Sequence, residues 1–187
     1  MSDGITEAYK KSKSKETLIV NIFGGPGSGK SIMCADLFSK LKWQHYSAEM
    51  AMEYVKDEVW EENSNAISNQ LFILGNQHQR LYRLLNKVDV IIVDSPILIS
   101  IIYDKENNNL FEQYVVEKFK NYRNFNIYIE RNNEEYENNG RLHTLREAIK
   151  KDKEIKNLLL KHNIDFISMK MDKNETNKIL ELIKEKI

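Results

Sequence analysis

The 187-residue chain is long enough to bury the core of one ordinary domain, and its 28 Lys and Arg balance 28 Asp and Glu, so no net field recruits a polyanion. A single cysteine, Cys34, excludes an intrachain disulfide and suits a reducing compartment, and the scattered His45, His78, His143 and His162 exclude a zinc-type ligand set. There is no apolar signal segment, and the most apolar run, Val88 to Ile102, is cut by Asp89, Asp94, Ser95 and Pro96, so a cytoplasmic protein with no membrane partner is expected.

Residues 1–16 carry Lys10, Lys11, Lys13 and Lys15 among Ser and Gly, which predicts a mobile basic tail ahead of a single domain at 17–187. Such a tail most often only solubilises; contact with nucleic acid is its other use. Thr17 to Phe23 is apolar and β-branched, the pattern of a buried strand. Directly after it Gly24, Gly25, Pro26, Gly27, Ser28, Gly29, Lys30 and Ser31 fit G-x-x-x-x-G-K-[ST]. Ile32, Met33, Leu37, Phe38 and Leu41 then recur at helical spacing. Strand, glycine-rich loop and helix are the setting in which backbone N–H groups and a helix N-terminus cradle a phosphate chain. The expected ligands are ATP and Mg²⁺, with Lys30 on the β- and γ-phosphates and Ser31 on the metal.

Gln44 to Ala48 is the predicted second strand, and Glu49 to Glu62 a helix whose Glu49, Glu53 and Asp57 share one face. In a kinase-type P-loop protein the end of the second strand opens over the γ-phosphate, so Glu49 or Glu53 is the candidate base for an attacking hydroxyl; a solvated acidic stripe is the bland alternative. Ala66 to Asn86 reads as one long helix with Ile67, Leu71, Leu74, Leu81 and Leu85 buried. Gln70, Gln77 and Arg80 lie among them as candidate substrate contacts, Gln for a base edge and Arg for a phosphate. Val88 to Asp94 is an apolar strand ending in an acid, which makes Asp94 the partner of Ser31 in a Mg²⁺ site.

Ser95-Pro96 ends that strand, helices are expected at Ile97 to Tyr103 and Asn109 to Asn121, and a fourth strand at Phe125 to Glu130. Residues 131–146 are polar and hold Gly140, Arg131, Arg141 and Arg146; a stretch this long predicts a lid that brings arginines to the transferred phosphate. A helix through Leu160, a strand near Ile164 to Met169 and a helix from Glu175 complete the chain. Alternating strands and helices predict a three-layer α/β P-loop NTPase fold, a five-stranded parallel sheet with helices on both faces.

Within P-loop classes, Asn86-Lys87-Val88-Asp89 matches the guanine-reading letters but leads into the third strand instead of following a later one. Ser95 stands where a motor ATPase would place its water-activating glutamate. A kinase remains. The order Phe23 to Ser31, then Glu53-Tyr54-Val55-Lys56-Asp57, then Asn69-Gln70, Gln77 and Arg80, then Val93-Asp94-Ser95-Pro96 resembles small phage-encoded P-loop kinases related to nucleoside, thymidylate and nicotinamide riboside kinases. It is most similar to 5-hydroxymethyluracil DNA kinases, from about Ile19 to Ile167. The resemblance implies Glu53 over Glu49 as base, Arg131 and Gly140-Arg141 as the lid, with Arg131 and Arg141 catalytic, and a host-cytoplasmic enzyme acting on a nucleoside-like acceptor; Arg146 remains a candidate substrate contact from its place in the polar stretch. It leaves open a base in duplex DNA, a free nucleoside, a nucleoside monophosphate or nicotinamide riboside, and also a homodimer. The alternative of another class is a regulatory module that binds nucleotide without turnover. Gln79-Arg80 with His78 departs from the His-Arg of the relatives, and the lid lacks their prolines and is about a residue longer.

Overall fold

Leu18, Val20 and Ile22 alternate with Ile19, Asn21 and Phe23 along β1 (Leu18–Phe23), so both faces of this strand need cover. β1 is accordingly the centre of a parallel sheet in the order β2-β3-β1-β4-β5. A computed structural model describes residues 16–131 and 144–187. The other strands are β2 (Ala48–Ala51), β3 (Val90–Val93), β4 (Asn124–Glu130) and β5 (Ile167–Lys170). Helices α1 (Lys30–Trp43), α2 (Val55–Trp60), α3 (Ser64–Ser68), α4 (Gln70–Tyr82), α5 (Ile99–Tyr103), α6 (Asn109–Lys120), α7 (Leu145–Lys161) and α8 (Lys173–Lys186) connect and flank them.

One face of the sheet packs Val20, Ile22, Val90, Ile92 and Ile127 against Met33, Leu37 and Leu41 of α1 and Ile179, Leu180 and Ile183 of α8. The other packs Phe23 and Tyr128 against Phe111, Val115 and Phe119 of α6 and Ile155, Leu158 and Leu159 of α7. Leu37 is fully buried, so Leu37→Ala would cost about 2–5 kcal/mol. The second face also holds a polar ladder, in which Asn21 Nδ2 donates at 2.9 Å to both Asn124 Oδ1 and Asn126 Oδ1. Asn21 and Asn126 are directly paired in the β1–β4 register, so a one-residue slip would turn Asn21 into the opposite apolar layer.

Four expectations are corrected. The second strand lies at Ala48–Ala51 and not at Gln44 to Ala48, because Gln44 and His45 end α1 in a turn with His45 at φ 64°. Glu49 therefore sits in a strand, Glu53 in a connection and Asp57 in α2, so they share no helix face. The long helix from Ala66 to Asn86 is broken at Asn69, which is extended and caps α4 by accepting from Phe72 N–H at 3.1 Å. The break rotates the buried stripe to Ile73, Leu74, Gln77 and Leu81 and leaves Leu71 at 71% exposure. Ile32 likewise points outward from α1 at 66% exposure. No helix among the described residues is long and apolar enough to cross a membrane.

Candidate functional site

In a parallel sheet every strand delivers its carboxyl end to the same edge, and a crevice opens there where connections leave a central strand in opposite directions. Here that strand is β1, whose neighbours β3 and β4 carry the chain to opposite sides. The glycine-rich loop follows β1, Asp94 follows β3, Glu53 lies two residues past β2, and Arg131 follows β4. All four gather at one edge because their strands are parallel and in register.

The loop is shaped from within and from below. Gly29 is left-handed at φ 95° and caps α1, a conformation that favours glycine. Lys30 Nζ donates to Gly25 C=O at 3.1 Å across the loop. Gly25 N–H donates to Asp152 Oδ1 at 2.6 Å, and a Cβ on Gly25 would meet that same oxygen at 2.6 Å and Ala148 C=O at 2.7 Å. Asp152, on α7, is a residue that sequence reasoning missed. Its sequence signal is an acid at a core-facing position of α7, in line with Ala148 and Ile155, among lysines that make it look like any exposed charge until the helix is placed.

Ser31 Oγ donates to Asp94 Oδ2 at 2.6 Å. Asp94 is 2% exposed, and its Oδ1 is buried with no hydrogen-bond partner among the described residues. Burial pushes its carboxyl above the ordinary range, against the lowering pull of Lys30, the Ser31 hydroxyl and Lys56. An orphaned carboxylate oxygen beside a hydroxyl is the hard-oxygen pair that Mg²⁺ takes when phosphate oxygens and water supply its remaining ligands. Among the described residues no group of three His, Cys, Asp or Glu side chains could hold a metal alone.

Glu53 is half-buried and enters the same electrostatic field. The buried Cys34 thiol is pushed up by burial first, then by the Asp94 charge, with Lys30 opposing and Glu53 adding to the rise. The charges of Asp94, Lys30 and Glu53 thus all act on one sulfur. Glu49 instead lies 3.7 Å from Lys42. Arg80 holds the Glu53 segment: it donates to Met52 C=O and Glu53 C=O at 3.4 Å, pairs with Asp57 and covers the Tyr54 ring at 5.0 Å. Gln77 is buried at 5% exposure, its Oε1 accepting from Tyr54 N–H at 2.7 Å, while Nε2 has no partner among the described residues. Because a backbone N–H only donates, the amide orientation is fixed, and the unused donors of Gln77 are those of Nε2. Tyr54 OH donates to the buried Glu58, which with burial pushes the phenol up to about 12.

The remaining expected contacts fall elsewhere. Gln70 Nε2 donates to Ile67 C=O at 3.2 Å, closing the turn between α3 and α4. Arg131 is not on a mobile arm: its side chain is 6% exposed, Nε donates to Asp152 Oδ2 at 2.7 Å and Nη2 to Pro26 C=O at 2.6 Å. Arg146, expected at the end of the lid, is instead exposed in the first turn of α7, because Thr144 and Glu147 form a capping box that starts the helix there. Arg141, Gly140 and the lysines of the N-terminal tail lie outside the described residues.

No curated protein matches the chain in sequence. Among solved structures it is similar to deoxyadenosine kinase from M. mycoides with products dCMP and a flexible dCDP bound, at 18% identity and a TM-score of 0.51, over 90% of this chain and 97% of that one. The same kinase with bound dATP gives 19% identity and 0.51 over 90% and 98%. Chaetomium thermophilum Kti12 in complex with ADP-AlF3 gives 11% and 0.52 over 89% and 97%. At such identities the likeness speaks for a shared α/β P-loop kinase-like fold. Residues 19–175, nearly all of the sheet and its helices, match the family model described as an AAA domain, and the chain belongs to that family.

Proposed function

We propose that the chain is a P-loop phosphotransferase that moves the γ-phosphoryl of ATP to a nucleoside-like acceptor with Mg²⁺. The observation that carries this reading is the buried Asp94 Oδ1, without a hydrogen-bond partner among the described residues, beside the Ser31 hydroxyl, with Lys30 and Glu53 in the same field. Mg²⁺, when bound, neutralises charge on the β- and γ-phosphate oxygens. Ser31 and Asp94 would hold it. Lys30 moves from Gly25 C=O to the phosphate oxygens, and the loop amides align the chain of phosphates for in-line transfer. Glu53 accepts the proton of the attacking hydroxyl, and Arg80 positions it by holding the backbone on which it stands. Arg141 keeps the role of offsetting transition-state charge.

For the acceptor, the finer reading is the hydroxymethyl group of 5-hydroxymethyluracil in DNA. It rests on the resemblance of Glu53-Tyr54-Val55-Lys56 and Asp94-Ser95-Pro96 to the kinases of that base. Gln77 agrees, since the unused donors of its Nε2 favour a base edge with a carbonyl over one with an amino group. The likeness in fold to deoxyadenosine kinase supports a free deoxynucleoside as the second reading. Incubation with γ-labelled ATP against hydroxymethyluracil duplex DNA, deoxynucleosides, nucleoside monophosphates and nicotinamide riboside separates them by where label lands. Label in free nucleosides alone removes the DNA reading. Nucleotide binding with no transfer to any acceptor replaces the kinase by a regulatory module.

A further inference from the structure

We propose that Asp152 and Arg131 are positioning residues for the nucleotide, a charge-neutral brace that holds the first turn of the phosphate loop in its binding shape. The proposal rests on the nucleotide-binding reading above. Four groups close a ring beneath the loop. Gly25 N–H donates to Asp152 Oδ1 at 2.6 Å, Arg131 Nε donates to Asp152 Oδ2 at 2.7 Å, and Arg131 Nη2 donates to Pro26 C=O at 2.6 Å. Gly25 and Pro26 are consecutive, so the ring pins both sides of the peptide that joins them. Turning Gly25 N–H toward α7 also removes it from the set of amides that face the phosphates.

The ring is built into the core. Asp152 is 8% exposed on α7, and its own C=O accepts from Tyr128 OH of β4 at 2.9 Å. Close approach is possible only because residue 25 has no side chain: a Cβ there would lie 2.6 Å from Asp152 Oδ1. A buried carboxylate this near a triphosphate site would repel the ligand if it stood alone. Arg131 cancels its charge, so the brace shapes the loop without opposing the anion that the loop is made to hold. Neither residue touches the reacting atoms in this arrangement; both act through the backbone of Gly25 and Pro26.

The test separates a positioning role from a merely structural one. Arg131→Met leaves the Asp152 carboxylate buried and unpaired, and both the melting temperature and ATP affinity fall, the latter by about a hundredfold. In Arg131→Met/Asp152→Leu the ion pair is replaced by apolar groups of similar volume, a change that is often neutral for stability. The double variant is expected to melt near the wild type while binding ATP about tenfold more weakly, since Gly25 N–H and Pro26 C=O have lost their partners. Titration calorimetry with ATP and with ADP, in Mg²⁺, reads affinity; thermal melts without nucleotide read the fold. A double variant that binds ATP as tightly as wild type overturns the brace. A wild-type chain that binds neither nucleotide overturns the brace and the functional reading together, which distinguishes that failure from the first.

Discussion

The two halves of the site are built differently. On the proposed donor side, the loop, the exposed Ser31 of α1, Asp94, Arg131 and Asp152 are tied by bonds of 2.6–3.1 Å that join the ends of β1, β3 and β4 to α1 and α7. On the proposed acceptor side, Glu53 and Tyr54 lie in the connection that leads into the short α2, Gln77 and Arg80 stand on α4 at the sheet's flank, and Met52, Phe72 and Trp60 are exposed. A triphosphate is the same for every member of a fold, so its cradle can be rigid. Acceptors differ, and a surface made from α2 to α4 can change without disturbing the sheet.

The contrast is broken most severely by Lys30→Ala, which should lower turnover by about 10³ or more while leaving the melting temperature close to wild type; near-normal turnover would remove the loop from the chemistry. Asp94→Asn should come next, raising the Mg²⁺ needed for half-maximal rate and lowering kcat far more than ATP affinity; a Mg²⁺ titration that overlays wild type would release Asp94 from the site. Glu53→Gln should cut turnover by about 10²-fold with ATP affinity unchanged, whereas Glu49→Gln, beside Lys42, should change neither. If the two glutamates behave alike, the assignment of the base fails. Gln77→Met should raise KM for the acceptor about tenfold and leave KM for ATP alone, and the penalty should be larger for bases with a carbonyl edge than for those with an amino edge.

The smallest effect concerns pH and again separates the halves. His78 on α4 lies 2.6 Å from Tyr122 OH, near Tyr82 and Lys118, and burial first and Lys118 second lower its pKa from 6.5. An imidazole whose pKa is lowered by folding contributes stability that is present above the ordinary value and lost as pH falls below it. His78→Phe keeps the ring against Tyr82 and Tyr122 and should flatten the loss of melting temperature below pH 6.5. An unchanged acid slope would show that protonation of another group governs this side.

The donor half was legible in the sequence because its groups are contiguous or terminate apolar runs: Gly24 to Ser31 is one segment, and Asp94 ends a run of β-branched residues. The sheet followed from the same runs. Asp152 was not legible, since its importance arises from a contact 127 residues away in sequence. Arg131 was recognised as significant by its place after β4, but nothing local says that it points inward to Pro26 and not outward. On the proposed acceptor side the periodicity of residues 66–86 suggests one helix, but Asn69 caps a new one there, and one side-chain hydrogen bond outweighs a run of helix-forming neighbours. Glu53 was separated from Glu49 by resemblance, and only the strand boundary at Ala51 places it past the sheet edge.

The bond between Gly25 and Asp152 also fixes an order of events during synthesis. The phosphate loop leaves the ribosome early, yet the carboxylate that shapes it is translated 127 residues later. A nascent chain halted before α7 would carry the whole nucleotide-binding motif and lack its final form. ATP would then find its full-affinity site only once α7 has emerged, so nucleotide would stabilise chains that include α7 and give little help to those halted before it.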